Sequence, residues 1–513
     1  MSSPQDDFAP MSGPPLWIAG FLLALANFMV VLDITIANVS VPNIAGGLAV
    51  SPDQGTWVIT SYAVAEGITV PLTGWLAQRF GAVRVFCTAM VSFGLCSALC
   101  GLAPSLGILV FFRVLQGLSG GPMMPLSQTL MRRIFPARLQ GMALALWGMT
   151  TVVGPIAGPL LGGALVDGPG WPWVFYINVA PALLCAFFAW RMLRSRETAT
   201  QRLPIDLFGL ILLIIWVGAL QIMLDKGKDL DWFDSKIIVA LAILAGLTFL
   251  AFVNWELTEE HPIVDLRVFR HRGFTAAVFT LALGYGSMFG ANVVTPLWLQ
   301  SYMGYTATWA GMTTAWSGVC AVLMAPVAGV LMSKKIDPRI IVFFGLSWIA
   351  SVTVLRTVLT NDITYWQIAV PLILMGIGLP LFFVPLTALA LGSVDEAETA
   401  SGAGLQNFLR TMSGAIATSL TTTAWDDKAT YAHAELAGLA DKSGDTVAKL
   451  TASGMSHDMA VSQLNNLVQS QSVMIATNQL MFVVAMAFAI AALAIWLAPK
   501  PGRAIDMAQA GGH

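Results

Sequence analysis

The chain has 513 residues, of which 57% are hydrophobic and 11% charged, with a mean hydropathy of +0.75 and a formal net charge of −2. An ordinary soluble chain carries roughly 25% charged residues, so this composition excludes that class. It predicts an all-α polytopic protein whose surroundings are a lipid bilayer, with no nucleic acid among its partners.

Apolar runs of about 20 residues, the length that a helix needs to cross a hydrocarbon core about 30 Å thick, occur about fourteen times. The first six are 16–40, 55–76, 83–103, 106–128, 139–165 and 171–193. A close pair follows at 204–224 and 236–256. The last six are 273–299, 309–333, 338–358, 366–392, 400–425 and 474–498. This pattern predicts an N-terminal tail (1–15), a six-helix bundle (16–193), two inserted transmembrane helices (204–256), a second six-helix bundle (273–498) and a C-terminal tail (499–513).

The basic residues predict the orientation of these helices. Residues 1–15 contain no Lys or Arg, and no small-residue cleavage site follows the first run, so that run is expected to remain as a spanning helix. Of the 26 Lys and Arg residues, 17 fall in one set of alternate loops and the tail, and 6 in the opposite set. Because positively charged short loops stay in the cytoplasm, both termini are predicted to be cytoplasmic. One cytoplasmic loop, around Asp395, Glu396 and Glu398, is acidic and breaks the rule.

The longest segment between apolar runs, 426–472, is predicted to lie on the periplasmic side. The spacing of Leu436, Leu439 and Ala440 fits an amphipathic helix. Two interpretations remain open, a solvated helix in a loop and a docking surface for a second protein.

Cysteine, histidine and nucleotide-binding patterns exclude several classes of function. All five cysteines lie inside or at the ends of apolar runs, which argues against structural disulfides. All five histidines lie in loops or the tail, so they cannot form an intramembrane metal site. No Gly-Lys-Ser/Thr phosphate-binding pattern occurs. The sequence therefore predicts neither a membrane metalloprotease nor an ATPase, and no cofactor; energy for pumping must come from an ion gradient or a partner.

Two turns of similar sequence indicate an internal duplication. Gly74–Arg84 joins the second and third runs, and Gly329–Arg339 joins the tenth and eleventh, with Gly, Leu, a basic residue and Arg at matching offsets. Repeated halves with a binding site between them are typical of secondary transporters. Chance remains an alternative explanation for four matches in eleven positions.

Four motifs together carry a resemblance to a known family. They are Leu32–Val39 in the first run, the Gly74–Arg84 turn with Gly74, Arg79, Gly81 and Arg84, Arg113–Gly117 in the fourth run, and Gly154–Gly163 in the fifth. They resemble the major facilitator superfamily, specifically its fourteen-span drug:proton antiporters of the EmrB type. One departure is Gln78, where the superfamily turn usually has an acid, and this puts a charge-relay role for the turn in question.

The Gly154–Gly163 motif also has a purely physical interpretation. Gly154, Gly158, Gly162 and Gly163 give one helix face without side chains, along which another helix can approach closely. Pro155 and Pro159 remove backbone donors and can bend that helix. Packing and bending are alternatives to a direct role in substrate binding.

Asp33, Glu66 and Arg113 are the candidate proton-coupling and substrate residues. Helix geometry places all three between the middle of the membrane and its outer third, where they could share one cavity. Burial disfavours a charged carboxylate and a nearby Arg favours it, so a moving Arg could switch proton binding. The resemblance implies a proton or cationic-drug site at Asp33 and proton transfer through Arg113; Glu66 is assigned from its chemistry alone. The alternative is a static buried ion pair.

Weaker candidates for the substrate cavity are Gln116, Asn292, Gln406, Asn407 and Arg410. Gln406 and Arg410 are one helical turn apart on a common face. Such residues are expected to face protein or water, not lipid. A polar clamp between helices is the alternative to contact with substrate.

The resemblance implies a non-enzymatic secondary transporter in the bacterial inner membrane. It would export hydrophobic drug-like compounds by alternating-access exchange for protons. It also implies a periplasmic membrane-fusion adaptor of the EmrA type and an outer-membrane channel of the TolC type as partners. The alternatives are a proton-coupled importer or exporter of a specific metabolite, an intramembrane enzyme and a membrane scaffold without transport activity.

Overall fold

A computed structural model gives the structure of residues 10–50, 52–201, 204–334, 336–360, 362–395, 398–441 and 445–500. The first part of the chain forms α1 (Pro14–Gly47), α2 (Pro52–Gly55), α3 (Trp57–Thr69), α4 (Thr73–Phe80), α5 (Ala82–Gly101), α6 (Leu106–Gly120), α7 (Met123–Ile134), α8 (Gln140–Asp167), α9 (Trp173–Tyr176) and α10 (Val179–Leu193). The remainder forms α11 (Leu207–Lys226), α12 (Lys236–Thr258), α13 (Arg272–Tyr302), α14 (Ala307–Ser333), α15 (Pro338–Val354), α16 (Tyr365–Gly392), α17 (Thr399–Asp441), α18 (Asp445–Ala452) and α19 (His457–Ala494). Short 3-10 helices occupy Ala137–Leu139, Arg194–Arg196, Lys228–Leu230, Trp232–Asp234, Leu266–Arg270, Leu355–Val358 and Ile495–Leu497.

Eleven helices within the described ranges are long and apolar enough to cross a membrane. Three predicted spans, 55–76, 139–165 and 400–425, are helical but are not among the eleven. The first is interrupted at Pro71, which has no backbone N–H, so α3 ends at Thr69 and α4 begins at Thr73. The third lies in α17, whose polar side chains lower its hydropathy. The number fourteen therefore stays a prediction, whereas a multi-pass helical membrane protein is established.

The first set of six helical segments consists of α1, α3 with α4, α5, α6 with α7, α8, and α9 with α10. The second set consists of α13, α14, α15, α16, α17 and α19. The two sets pack in the same pattern. In the first set α1 packs on α8, α3 on α6, and α5 on both α6 and α10. In the second set α13 packs on α17, α14 on α16, and α15 on both α16 and α19. In each set the first segment therefore meets the fifth, the second meets the fourth, and the third meets the fourth and sixth. This agreement supports the internal duplication.

Both described ends of the chain lie beside the loops rich in Arg. The backbone N–H of Met11 donates to Ile134 O at 2.9 Å, next to the Arg132–Arg133 pair. Arg339 Nη1 donates to Ala498 O at 3.0 Å. We call this side the basic side of the bundle.

The two sets contact each other near the basic side. Arg132 at the end of α7 donates to Leu391 O at the end of α16. Gly74 in α4 faces Ser401 in α17 so closely that a Cβ would overlap that serine. At Gly141 in α8 a Cβ would lie 3.2 Å from Met332. The described contacts therefore join the two sets across their basic ends.

Helix α11 lies between the two sets. Lys226 Nζ lies 3.2 Å from Thr56 Oγ1, beside the first set. Ser419 Oγ in α17 donates to Leu224 O at 2.8 Å, on the second set. The inserted pair is therefore in contact with both halves.

The segment predicted to lie on the periplasmic side is largely a continuation of α17 and α19. Trp425 contacts Tyr302 at the end of α13 remote from the basic side, with ring centroids 6.1 Å apart. Beyond this level α17 continues to Asp441 and α19 begins at His457. These extensions, residues 426–441 and 457–472, form a pair that we call the outer hairpin. In the predicted apolar stripe Leu436 is half-buried and Leu439 is 57% exposed, while the side chain of Ala440 is outside the described residues.

Candidate functional site

Asp33 lies in the middle of α1 with none of its surface exposed. Its Oδ2 accepts a hydrogen bond from Arg113 Nη1 at 2.6 Å. Its Oδ1 accepts from Gln116 Nε2 at 2.9 Å and from Asn178 Nδ2 at 2.8 Å. The carboxylate is therefore paired with a cation and hydrogen-bonded through both oxygens, which a buried charge requires.

Arg113 is held from several directions by the first set. It shares α6 with Gln116, and its Nη1 also donates to Gln116 Oε1 at 3.0 Å. Its Nε donates to Val58 O in α3 at 2.9 Å. Its guanidinium carbon lies 4.2 Å from the centre of the Tyr62 ring, within cation–π range. The predicted pairing of Asp33 with Arg113 is present, and Gln116 belongs to this network.

Sequence reasoning missed Ser97 and Asn178, which complete the network. Ser97 Oγ accepts from Gln116 Nε2 at 3.2 Å and from Asn178 Nδ2 at 3.4 Å, and it donates to Phe175 O at 2.8 Å. Both residues are fully or almost fully buried. A polar amide inside the apolar run 171–193 was the signal that could have identified Asn178.

Glu66 lies near this network but is not bonded to it. It is 2% exposed in α3, and no described residue hydrogen-bonds its carboxylate. The charged groups that act on it are Arg410, Asp33 and Arg113. Close approach of α6 positions this part of α3, since a Cβ at Gly117 would lie 3.2 Å from the Glu66 backbone nitrogen. The three predicted residues share one neighbourhood, but Arg113 pairs with Asp33 and not with Glu66.

Gln406, Asn407 and Arg410 are buried in α17 and reach towards the first set. Arg410 Nη2 contacts Met124 Sδ in α7 at 2.9 Å, and Asn407 Nδ2 donates to Gln128 Oε1 at 3.0 Å. Gln406 Nε2 donates within its own set, to Thr387 Oγ1 at 3.3 Å. These side chains therefore lie at the interface between the two sets. This position is consistent both with a polar clamp between helices and with contact with substrate.

Several polar atoms at this interface have no protein partner. Within the part of the chain that the structure describes, these atoms are Arg410 Nε, Gln128 Nε2, Gln406 Oε1 and Asn407 Oδ1. Unpaired buried polar groups are rare because each costs desolvation energy, and they occur at sites that bind water, ions or ligands. Asn292 in α13 is half-buried and is not hydrogen-bonded to this group.

The glycine motif of α8 packs against α1 beside Asp33. A Cβ at Gly154 would lie 2.5 Å from Val31, and one at Gly158 would overlap Thr35. A Cβ at Gly162 would lie 3.2 Å from Ile36, whereas Gly163 faces open space. Three of the four predicted glycines thus form the close contact, while the side chains of Pro155 and Pro159 lie outside the described residues. This geometry supports the packing interpretation.

The Gly74–Arg84 turn has Gln78 where an acid is usual, but an acidic residue from another part of the chain, Glu197, contacts it. Gly81 has φ +94°, which L side chains rarely adopt. Glu197, from the segment after α10, accepts from the backbone N–H groups of Val83 and Arg84 at 2.9 Å each. A carboxylate there caps the N-terminus of α5 and interacts favourably with its dipole. Arg79 lies over the Trp75 ring at 5.5 Å.

The acidic loop around Asp395 and Glu398, on the basic side, forms ion pairs with Arg270. Glu398 accepts from Arg270 Nη2 at 2.6 Å and lies 2.9 Å from His271 Nε2. Asp395 lies 3.5 Å from Arg270. Arg270 thus balances the charge of this loop locally, and Glu396 lies outside the described residues. His271, Asp395 and Glu398 are close enough to share a metal ion, although Arg270 already pairs with both acids.

Comparison with known proteins gives consistent matches. The family described as Major Facilitator Superfamily matches residues 23–418. The chain is 40% identical to "Multidrug export protein EmrB" of Escherichia coli K12 over 497 residues, covering 96% of this chain and 97% of the relative. It is also 40% identical to "Fatty acid resistance protein FarB" of Neisseria gonorrhoeae, covering 96% and 98%.

Solved structures match at the level of fold. The human organic anion transporter MFSD10 aligns with a TM-score of 0.55 at 14% identity, over 93% of this chain and all of that one. A bacterial homolog of the human lysosomal transporter Spinster, in an inward-facing conformation, aligns with a TM-score of 0.53 at 14% identity, over 96% and 100%.

Proposed function

This chain belongs to the major facilitator superfamily, and from that premise we propose that it is a proton-driven multidrug efflux transporter of the bacterial inner membrane. The observation that carries the proposal is 40% identity to a multidrug export protein over nearly the whole of both chains. The fatty acid resistance protein at the same identity supports hydrophobic substrates. The proton gradient supplies the energy, so the proposal requires no cofactor.

The proposed cycle is alternating access between the two sets of helices. Contacts between them at the basic ends support a state that is closed to the cytoplasm and opens towards the periplasm. Hydrophobic drug-like compounds would bind at the interface that contains Gln406, Asn407 and Arg410.

Proton coupling is assigned to Asp33, Glu66 and Arg113 with unequal roles in this state. Asp33 is occupied by three donors, so a proton or a cationic compound must displace one of them. Glu66 has no such bonds and is the carboxylate open to exchange. Because Arg410 belongs to the other set, rocking of the sets changes its distance from Glu66. A receding cation favours the protonated form of the carboxyl, which would link conformation to proton binding.

The proposed partners are a periplasmic membrane-fusion adaptor of the EmrA type and, through it, an outer-membrane channel of the TolC type. The outer hairpin supports this by exposing Tyr431, Met459 and Leu467, at 72%, 63% and 55%. Replacing Met459 and Leu467 by Ser is expected to abolish co-purification with the adaptor and to preserve drug-dependent proton release in vesicles. Loss of proton release at unchanged adaptor binding would refute the docking role.

The experiment that tests the proposal uses inverted membrane vesicles with an imposed proton gradient and a pH-reporting dye. Addition of a transported drug is expected to release protons in the wild type. Release should be lost in Asp33→Asn and in Glu66→Gln at matched amounts of folded protein. Glu260→Gln, an exposed acid beyond α12, is the control and should behave as the wild type.

Each outcome of this experiment has a distinct meaning. Proton release that persists in Glu66→Gln removes Glu66 from the coupling role, and the same holds for Asp33. Proton movement of the opposite sign identifies an importer, the alternative function. Wild-type vesicles that accumulate drug without any proton response refute proton coupling and leave drug transport in place.

A further inference from the structure

A second pair of carboxylates, the half-buried Asp206 and the buried Glu256, lies in the inserted pair, where α11 begins and α12 ends. Asp206 caps α11: its Oδ1 accepts from the Gly209 N–H at 2.9 Å, and its Oδ2 accepts from Trp255 Nε1 at 2.9 Å. Glu256, in the last turn of α12, is 0% exposed. Its Oε2 accepts from the Val264 N–H at 3.1 Å, while its Oε1 has no hydrogen-bond partner among the described residues.

The two carboxylates converge on Gly209. A Cβ at this position would overlap Asp206 Oδ2 and would lie 2.5 Å from Glu256 Oε1. The absence of a side chain at Gly209 thus lets the unpartnered oxygen of Glu256 approach the oxygen of Asp206. Any other residue at this position would separate them.

No described basic residue lies within ion-pairing distance of Asp206 or Glu256. The charged groups around Glu256 are Asp206 on α11, Glu259 after α12, and Asp265 and Arg267 in the connection to α13. Arg267 Nη2 is engaged by Glu259 O at 2.5 Å, and Asp265 caps the Arg267 N–H at 3.1 Å. With no cation among the described residues to offset it, the like charge of Asp206 disfavours the ionised form of the buried Glu256 carboxyl, and a buried polar oxygen needs a partner.

We propose that Asp206 and Glu256 form a proton-binding site in the inserted pair, in which Glu256 Oε1 carries one proton and donates it to Asp206 Oδ2. The proton comes from solvent on the basic side and returns there. The proton replaces the repulsion between the two carboxylate oxygens with a hydrogen bond. This site is separate from the proton path of Asp33 and Glu66 and does not depend on the proposed efflux function.

The site ties the inserted pair to the second set of helices. Glu256 Oε2 caps the backbone of the connection between α12 and α13, in which Ile263 and Val264 are 3% and 2% exposed. Loss of the proton places two like charges at this junction. A rise in pH on the basic side therefore loosens the attachment of the inserted pair.

The test is made on the purified full-length protein in lipid nanodiscs. The wild type is expected to show an infrared carbonyl band of a protonated carboxyl at neutral pH, and Glu256→Gln should lack that component. The thermal midpoint of the wild type should fall as the pH is raised from about 5 through neutral, above the ordinary Glu pKa of about 4.3, because the folded state holds a proton that the unfolded chain has released. Glu256→Gln, whose amide can donate the same hydrogen bond, should lose this dependence, and Glu260→Gln should retain it.

Asp206→Asn provides an independent test if Glu256→Gln folds poorly. Without the neighbouring charge Glu256 ionises more readily, so the pH-dependent loss of stability should move to lower pH. An unchanged transition, or one moved to higher pH, overturns the proposal. Added Na⁺ or Mg²⁺ that stabilises the wild type at constant pH, but not Glu256→Gln, overturns it in favour of a bound cation.

Discussion

Neutralising Asp33 is expected to destabilise the protein more than neutralising Arg113. In Asp33→Asn the guanidinium of Arg113 stays charged, because Arg does not lose its proton in proteins, and its side chain is only 1% exposed. Breaking a buried ion pair from one side costs about 3–5 kcal/mol. In Arg113→Met the remaining carboxyl can bind a proton and escape the penalty, so the cost should be smaller.

The double variant Asp33→Asn/Arg113→Met identifies the source of this cost. It leaves no buried charge, so it should be more stable than Asp33→Asn alone, although it carries one more substitution. The assay is equilibrium unfolding in mixed micelles by SDS, with Glu260→Gln as the control. A double variant no more stable than Asp33→Asn would refute the reasoning, because the cost would then not come from an unpaired guanidinium.

Three further predictions concern other parts of the molecule. Gly158→Val is expected to cost about 1–3 kcal/mol in the same unfolding assay through overpacking and to abolish drug-dependent proton release, whereas Gly163→Ala should change neither; equal effects would contradict the packing role. Arg410→Met should abolish drug-dependent proton release in vesicles without loss of stability, since it removes a buried cation with an unpartnered Nε; unchanged release would remove Arg410 from the cycle. The hydrogen bond from Arg339 lowers the pKa of Asp337, so the ionised carboxylate stabilises the fold above its unfolded pKa and this stabilisation is lost as pH falls. The difference in stability between the wild type and Asp337→Asn should therefore shrink between about pH 5 and pH 2. A difference that stays constant with pH would contradict this prediction.

Much of the fold follows from the sequence because a bilayer limits what a chain can do. Apolar runs had to become helices, and matching turns reflect two sets that pack alike. Pro71, inside the predicted span 55–76, is the sequence signal for the break between α3 and α4. A helix within 426–472 was predicted from its spacing, but the continuation of α17 and α19 into this segment was not, because hydropathy gives no signal in polar helices.

The candidate site was predictable in part. Asp33 and Arg113 were identified because buried charges in apolar runs require partners. Asn178 is neutral, and no periodic pattern relates it to Asp33, since contact between them depends on how α10 packs against α1. Asp206 and Glu256 stand at the ends of apolar runs, where acids are common, and only the glycine between them in space makes them a pair.

The uninterrupted course of α17 has a mechanical consequence. Arg410 at the interface and Asp441 at the end of the helix belong to one rod, with no proline between them. At about 1.5 Å per residue the end lies roughly 46 Å from Arg410, so a tilt of about 10° there moves it by about 8 Å. A small rearrangement at Arg410 that accompanies proton exchange is therefore amplified along α17. It would displace a protein bound to the outer hairpin by several ångströms.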